Sequence, residues 1–160
     1  MKFEEMNIEE SVLGSLNRIG FEEPTKIQCE TIPIIKSGFD VIGQSETGSG
    51  KTAAFGIPLV EKVAKGGRIQ ALVLEPTREL SMQTADELKK FSHLKGLYVQ
   101  TIYGGVGFEP QIAGLKRAEI IVGTPGRILD HLRRGHLALR NIKIFFRDDA
   151  DKMIALGFVD

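Results

Sequence analysis

The sequence predicts a doubly wound α/β domain, a mostly parallel sheet with helices on both faces, and three features of the chain predict it. Short strand-like runs are apolar throughout instead of alternating, as strands buried on both faces are. Helical segments separate these runs, giving a β-α-β-α order. A glycine-rich stretch ending in Gly50-Lys51-Thr52 sits at a strand-to-helix junction, and sheets of this kind place ligands at the carboxyl ends of their strands.

Taken in order, Asn7 and Glu10 form a capping arrangement for a first helix with Ile8, Val12, Leu16 and Ile19 on one face, stopped by Gly20. A loop over 21–24 leads to a second helix from Thr25 to Gly38. Strands are expected at 40–43, 70–74, 97–103, 119–122 and 141–146, with helices near 50–64, 78–91, 110–115 and 126–133. Pro33 and Pro58 fall inside helical patterns and are expected to kink or break them. Residues 1–38 and 39–160 read as two parts of one domain, and 160 residues suffice for one sizeable core.

Composition narrows the function classes. Lys plus Arg (21) balances Asp plus Glu (21), so a highly basic nucleic-acid-coating protein is excluded and any such binding must come from local geometry. The single cysteine, Cys29, excludes an internal disulfide and suits a reducing compartment; its apolar helical setting reads as a buried, inert thiol. His93, His131 and His136 lack metal-ligand spacing and read as surface or hydrogen-bonded residues. Neither a long apolar run nor a signal pattern is present, so a soluble, cytoplasmic protein is expected.

Ser45-Glu46-Thr47-Gly48-Ser49-Gly50-Lys51-Thr52 reads as a phosphate cradle. Gly48 and Gly50 let the backbone curl until successive N–H groups face one anion. The following helix N-terminus adds roughly half a positive charge at the same spot. Lys51 can reach β- and γ-phosphates, and the Thr52 hydroxyl can ligate Mg²⁺. The strict pattern has glycine where this chain has Ser45.

Further segments then fall into a recognisable order: 20–28 with Pro24-Thr25-Lys26-Ile27-Gln28, the phosphate loop, Pro76-Thr77-Arg78-Glu79-Leu80, Gly104-Gly105, Thr124-Pro125-Gly126-Arg127 and Asp148-Asp149-Ala150-Asp151. In these the chain resembles the N-terminal RecA-like P-loop NTPase domain of the DEAD-box ATP-dependent RNA helicases, over nearly its whole length. Phe3 stands about where that family has an upstream aromatic. The resemblance implies ATP and Mg²⁺ as cofactors and RNA as partner. It implies that Gln28 reads adenine, that Phe21 stacks on its ring and that the Glu23 carbonyl accepts from N6. A glutamine amide, with one donor group and one acceptor, suits that edge of adenine. It assigns Pro76, Thr77, Arg78, Gly104, Gly105, Thr124, Pro125, Gly126 and Arg127 to the RNA sugar-phosphate backbone, independent of base sequence. Lys51, Asp148 and Asp149 become the catalytic residues, Thr52 and Asp148 the metal ligands, and Asp151 a coupling residue.

Two positions depart from the family pattern. Asp149 stands where the family has the glutamate that positions the attacking water. Losing one methylene withdraws the carboxylate by about an ångström, and such misplacement can cost on the order of 10²-fold in rate. Slow hydrolysis is expected. Arg147 replaces an apolar residue in a strand that reads as buried, so it needs a carboxylate or an exit to solvent. Strand alternation places it on the face of Asp149, which is its expected partner.

The resemblance also implies a second RecA-like domain and a Ser-Ala-Thr motif that this chain does not contain. The sheet is accordingly expected to stop before its last elements and to leave an unpaired edge with exposed apolar surface. The alternative reading is an ATP- or RNA-binding module of helicase descent that hydrolyses poorly. A small-molecule kinase would account for Gly50-Lys51-Thr52 and for none of the other segments.

Overall fold

The computed structural model describes residues 1–44, 50–149 and 152–157. After a short 3-10 turn (Phe3–Met6), the chain forms α1 (Glu10–Arg18), α2 (Lys26–Lys36), β1 (Val41–Gln44), α3 (Lys51–Lys62), β2 (Ala71–Leu74) and α4 (Arg78–Phe91). It continues through β3 (Val99–Ile102), α5 (Phe108–Leu115), β4 (Ile120–Gly123), α6 (Pro125–Arg133), β5 (Ile144–Asp149) and β6 (Lys152–Gly157). The strands form one sheet in the order β1-β6-β5-β2-β4-β3. β2 lies parallel to β5 and β4, and β4 parallel to β3; β6 is antiparallel to both its neighbours. Strands β1 to β5 therefore all point the same way.

Two apolar layers sandwich this sheet. On one face Val12, Leu16, Ile32, Ile35, Phe55, Leu59, Leu88 and Phe91 from α1 to α4 cover Ala71, Val73, Val99, Ile120, Val122, Ile144 and Phe146. On the other, Leu115 and Ile128 from α5 and α6 cover Leu72, Ile102 and Ile121. Successive residues of β2 and β4 thus feed opposite layers, which is why these strands are apolar at every position. The edge strand β1 is the exception: Ile42 is 71% exposed, and it meets the expectation of apolar surface at a sheet edge.

Several expectations are corrected. Asn7 does not cap α1; it adopts the left-handed conformation (φ 56°) after the 3-10 turn, and Glu9 stands at the N-cap. A short Asn side chain tolerates that conformation, so the turn uses it first. α2 and α3 each run through their proline as continuous helices. Cys29 is half-buried rather than buried. β6 was not expected at all: Lys152–Gly157 fills the slot between β1 and β5, with Ala155 buried against the larger layer. Pairing of Asp149 with Lys152 leaves a two-residue connection, which only an antiparallel return can follow.

Glu119, just before β4, ties the far end of the sheet. It is 3% exposed and accepts from the backbone N–H groups of Tyr98 (2.7 Å), Gly66 (3.0 Å) and Gly67 (2.6 Å). Burial alone would raise its pKa, but these three bonds and Lys65 outweigh it and hold the carboxyl below its ordinary value. An acid whose pKa is depressed in the fold contributes stability above its unfolded value of 4.5 and loses it as pH falls through the folded one. Glu119→Gln, which cannot accept all three bonds with one oxygen, is expected to lose about 2–4 kcal/mol in urea unfolding at pH 7. The deficit is expected to shrink below pH 4; a constant deficit would mean the carboxyl's charge contributes nothing.

Candidate nucleotide and nucleic-acid site

The parallel strands bring the strand-end segments to one edge of the sheet. At the β1–α3 junction, Gly50 stands at φ +84°, a conformation that favours glycine, and caps α3. A Cβ there would also lie 2.5 Å from the Gln28 amide nitrogen, so a side chain at this position would have to displace that amide from its contact with Gly50. Gln28, 3% exposed, donates from Nε2 to the Gly50 carbonyl (3.1 Å) and accepts at Oε1 from the Thr25 N–H (3.0 Å). Thr25 returns the contact through its hydroxyl, completing the capping box that starts α2. The first segment of the sequence reading is thereby bonded to the end of the phosphate loop.

One residue further on, Lys51 Nζ lies 3.3 Å from Asp148 Oδ1, joining the start of α3 to the end of β5. Phe21, Gln28, Gly50, Lys51, Thr52 and Asp148 line one cleft of about 770 Å³, with α4 forming its opposite wall. Phe21 is held there by an aromatic chain, 6.2 Å from Phe3 and 5.7 Å from Phe91 between ring centroids. Glu23 is exposed and is not among the residues lining the cleft. Ser45, Glu46, Thr47, Gly48, Ser49 and Asp151 lie outside the described residues, as does the Asp149 side chain. Arg147 is exposed, on a strand whose Ile144 and Phe146 are buried, so its side chain reaches solvent as one of the two expected ways; its expected pairing with Asp149 falls on a side chain outside the described residues.

The sequence reading missed Glu75. It follows β2 directly, is 1% exposed, and neither carboxyl oxygen has a hydrogen-bond partner among the described residues. Burial first, then the neighbouring Asp148, push its pKa up to about 9, against smaller opposing effects of Thr84 and Lys51. Asp148 and Thr84 come close enough to act on its proton without completing a bond to either oxygen. The available signal was a carboxylate ending an otherwise apolar buried strand.

On the far side of β2 lie the other strand ends. Thr77 caps α4, its hydroxyl accepting from Leu80 N–H at 3.2 Å. Arg78 stacks over Tyr103 at 4.5 Å. Pro76, Gly104, Gly105, Pro125 and Gly126 are exposed, and a Cβ at Gly104 or Gly126 would meet nothing within 4 Å. Arg127 lies over Phe108 (4.1 Å) and donates to the Val106 carbonyl (2.9 Å), with Arg134 also over Phe108 at 4.1 Å. Beneath them His131, fully buried, contacts Gln111 Oε1 (2.7 Å) and His136 Nδ1 (3.0 Å). Burial first, then His136, Arg127 and Arg134, lower the His131 pKa, so this imidazole is a neutral hydrogen-bonded strut.

The raised pKa of Glu75 has a measurable consequence. Between pH 4.5 and about 9 the folded state keeps a proton that the unfolded chain has released, so stability falls as pH rises through that window. Glu75→Gln, neutral at every pH and of the same shape, is expected to melt above the wild type at pH 8. The gap is expected to close towards pH 4.5. A Tm difference that did not vary with pH would place the Glu75 proton affinity near its ordinary value.

The DEAD/DEAH box helicase family model matches residues 25–160. A probable ATP-dependent RNA helicase of Methanocaldococcus jannaschii is 48% identical over 99% of this chain and 44% of its own length. The DEAD-box ATP-dependent RNA helicase CshA of Geobacillus kaustophilus is 49% identical over 99% of this chain and 34% of its own. The crystal structure of a DEAD box protein from Methanococcus jannaschii superimposes with a TM-score of 0.87 at 47% identity, covering 94% of this chain and 42% of that one. The chain thus spans less than half the length of these relatives. It belongs to the DEAD/DEAH box helicase family.

Proposed function

We propose that this domain binds ATP with Mg²⁺ in the cleft between α3, α4 and the end of β5, and RNA along the ends of β2, β4 and β3. It would act as one half of an ATP-dependent RNA helicase whose second RecA-like domain closes over both ligands. The observation that carries this reading is the meeting of Gln28, Gly50, Lys51, Thr52 and Asp148 on one cleft of about 770 Å³. Two relatives named as RNA helicases and one structural neighbour titled as a DEAD box protein support it.

Within the cleft each residue has a task. Gln28 still has one amide hydrogen and one lone pair after its contacts to Gly50 and Thr25, which is what the edge of adenine requires. Phe21 offers ring surface for the base, and the Glu23 carbonyl would accept from its amino group. Residues 45–50 and the α3 N-terminus receive the phosphates, and Lys51 turns from Asp148 to the phosphate oxygens. A hydroxyl and a carboxylate, Thr52 and Asp148, form a donor set suited to Mg²⁺, which takes one or two carboxylates plus phosphate oxygens. When bound, the ion draws charge from the phosphate oxygens. Asp149 would orient the attacking water from a shortened side chain, so turnover is slow, and Asp151 would link this motif to the RNA side. Arg78, Arg127 and the exposed N–H groups at Gly104, Gly105 and Gly126 would hold the RNA backbone, with Pro76, Thr77, Thr124 and Pro125 shaping that surface. Among the described residues no helix is long and apolar enough to cross a membrane. The lone thiol suits a reducing cytoplasm.

Calorimetry of Mg²⁺-ADP binding, with GDP as competitor, tests the nucleotide half. ADP is expected to bind in preference to GDP, and Lys51→Ala to weaken binding about 10–100-fold by removing a charged contact. Equal affinity for the two nucleotides would remove Gln28 as the base reader. On the RNA side, Arg78→Ala is expected to weaken single-stranded RNA binding alike for different sequences and to lower the salt slope by about 0.7. A loss confined to one sequence would contradict a backbone contact.

A further inference from the structure

Resting on the nucleotide reading above, we propose that Glu75 pairs with Asp148 as a second carboxylate of the divalent-cation site. β2 and β5 are parallel neighbours in the register Ala71–Ile144, Leu72–Phe145, Val73–Phe146, Leu74–Arg147. One step further sets Glu75 beside Asp148, at the roughly 4.8 Å spacing of adjacent strands. The Glu75 N–H donates to the Gly123 carbonyl (2.9 Å), so the chain is still extended there. Val73 and Phe146 both face the larger apolar layer, and two residues on, Glu75 and Asp148 take the same face.

That face is where the cleft lies. Asp148 and Lys51 line it, as does Thr84 of α4, and all three act on the Glu75 carboxyl. Glu75 does not itself line the cleft; it stands beside Asp148, which does. Two carboxyls side by side on neighbouring strands repel when both are ionised, and either a proton or a cation between or above them relieves this. Lys51 meets that need for Asp148, at 3.3 Å, and leaves both Glu75 oxygens without a hydrogen-bond partner among the described residues. A buried acid with both oxygens unused has no structural return. A hard cation with oxygen ligands supplies one, either directly or through a coordinated water. Once phosphate oxygens draw Lys51 away, the two carboxyls and the Thr52 hydroxyl are, among the described residues, oxygen donors available near that point of the cleft.

The test uses Mn²⁺ as probe, read by the loss of its free electron paramagnetic resonance signal on titration into the 160-residue chain, with and without ADP. Glu75→Gln is expected to weaken Mn²⁺ binding about 10–100-fold, with ADP affinity in EDTA unchanged. Asp148→Asn is the positive control, and Glu75→Ala should match Glu75→Gln. Cooperative melts of both variants at or above the wild-type Tm establish that they fold. Wild-type Mn²⁺ constants in both folded Glu75 variants would overturn the pairing. The nucleotide reading is decided separately, by whether ADP binds in EDTA and loses affinity in Lys51→Ala. If ADP fails to bind, inorganic phosphate takes its place in the Mn²⁺ titration to draw Lys51 from Asp148, and wild-type constants in Glu75→Gln there would overturn the role of Glu75.

Discussion

The sheet depends on four residues. Ala71–Leu74 of β2 pair in parallel with β5 on one side and β4 on the other, so among the described residues this strand joins β1-β6-β5 to β4-β3. Its side chains alternate between the two apolar layers, Val73 entering one and Leu72 the other. A slip of one residue in this register would exchange the layers and separate the strand ends from one another. Because the flanking strands run parallel to β2, its carboxyl end lies beside the end of β5 on one side and of β4 on the other. Glu75 is thereby delivered to the proposed nucleotide cleft, and Arg78, three residues later, to the proposed RNA surface.

The two halves hold charge by different means. On the proposed RNA surface the cations sit over aromatic rings: Arg78 over Tyr103, Arg127 and Arg134 over Phe108. A guanidinium held this way keeps its charge and loses little further freedom when an anion arrives. The His131–Gln111 contact below, with Gln111 Nε2 bonded to the Tyr103 carbonyl at 2.8 Å, fixes α5 and α6 beneath those rings. In the cleft, charge is instead balanced between Lys51 and Asp148, a pair that an incoming phosphate would divide. One surface is pre-set and the other is spring-loaded by electrostatics.

Much of this was legible in the sequence where local chemistry and burial agree. α4 runs from Arg78 to Phe91 as its spacing predicts, because Thr77 caps its start and Ala85, Leu88 and Phe91 recur on its buried face. Thr25 and Gln28 announce the start of α2 through their capping box. Lys51, Thr52, Gln28, Phe21 and Asp148 were each chosen from the sequence, and the fold brings them to one cleft. Two of the failures, β6 and Glu75, share a cause, which is dependence on distant partners, whereas the Asn7 failure is local. Lys152–Gly157 carries neither alternation nor β-branched enrichment, and only pairing with β1 and β5 makes it a strand. Asn7 has a capper's chemistry, but the turn before it claims its backbone. Glu75 drew no reading from the sequence, because only the register of β2 with β5 sets it against Asp148.

The two buried glutamates separate structural acids from the other kind. Glu119 and Glu75 end or begin strands of the same sheet and are 3% and 1% exposed. Glu119 spends both oxygens on three backbone N–H groups and has its pKa lowered, so its burial returns stability. Glu75 spends neither oxygen, has its pKa raised to about 9, and makes the fold less stable at neutral pH. Burial alone therefore does not account for both. A position that only filled space beside Asp148 would do so better with an apolar side chain, which costs no desolvation. Groups that cost stability persist where they meet a ligand, and local consistency in a fold is expected to fail first at such sites. Glu75 is a described residue that works against the fold's own stability, and it lies beside Asp148 in the proposed nucleotide cleft, where a cation would change that balance.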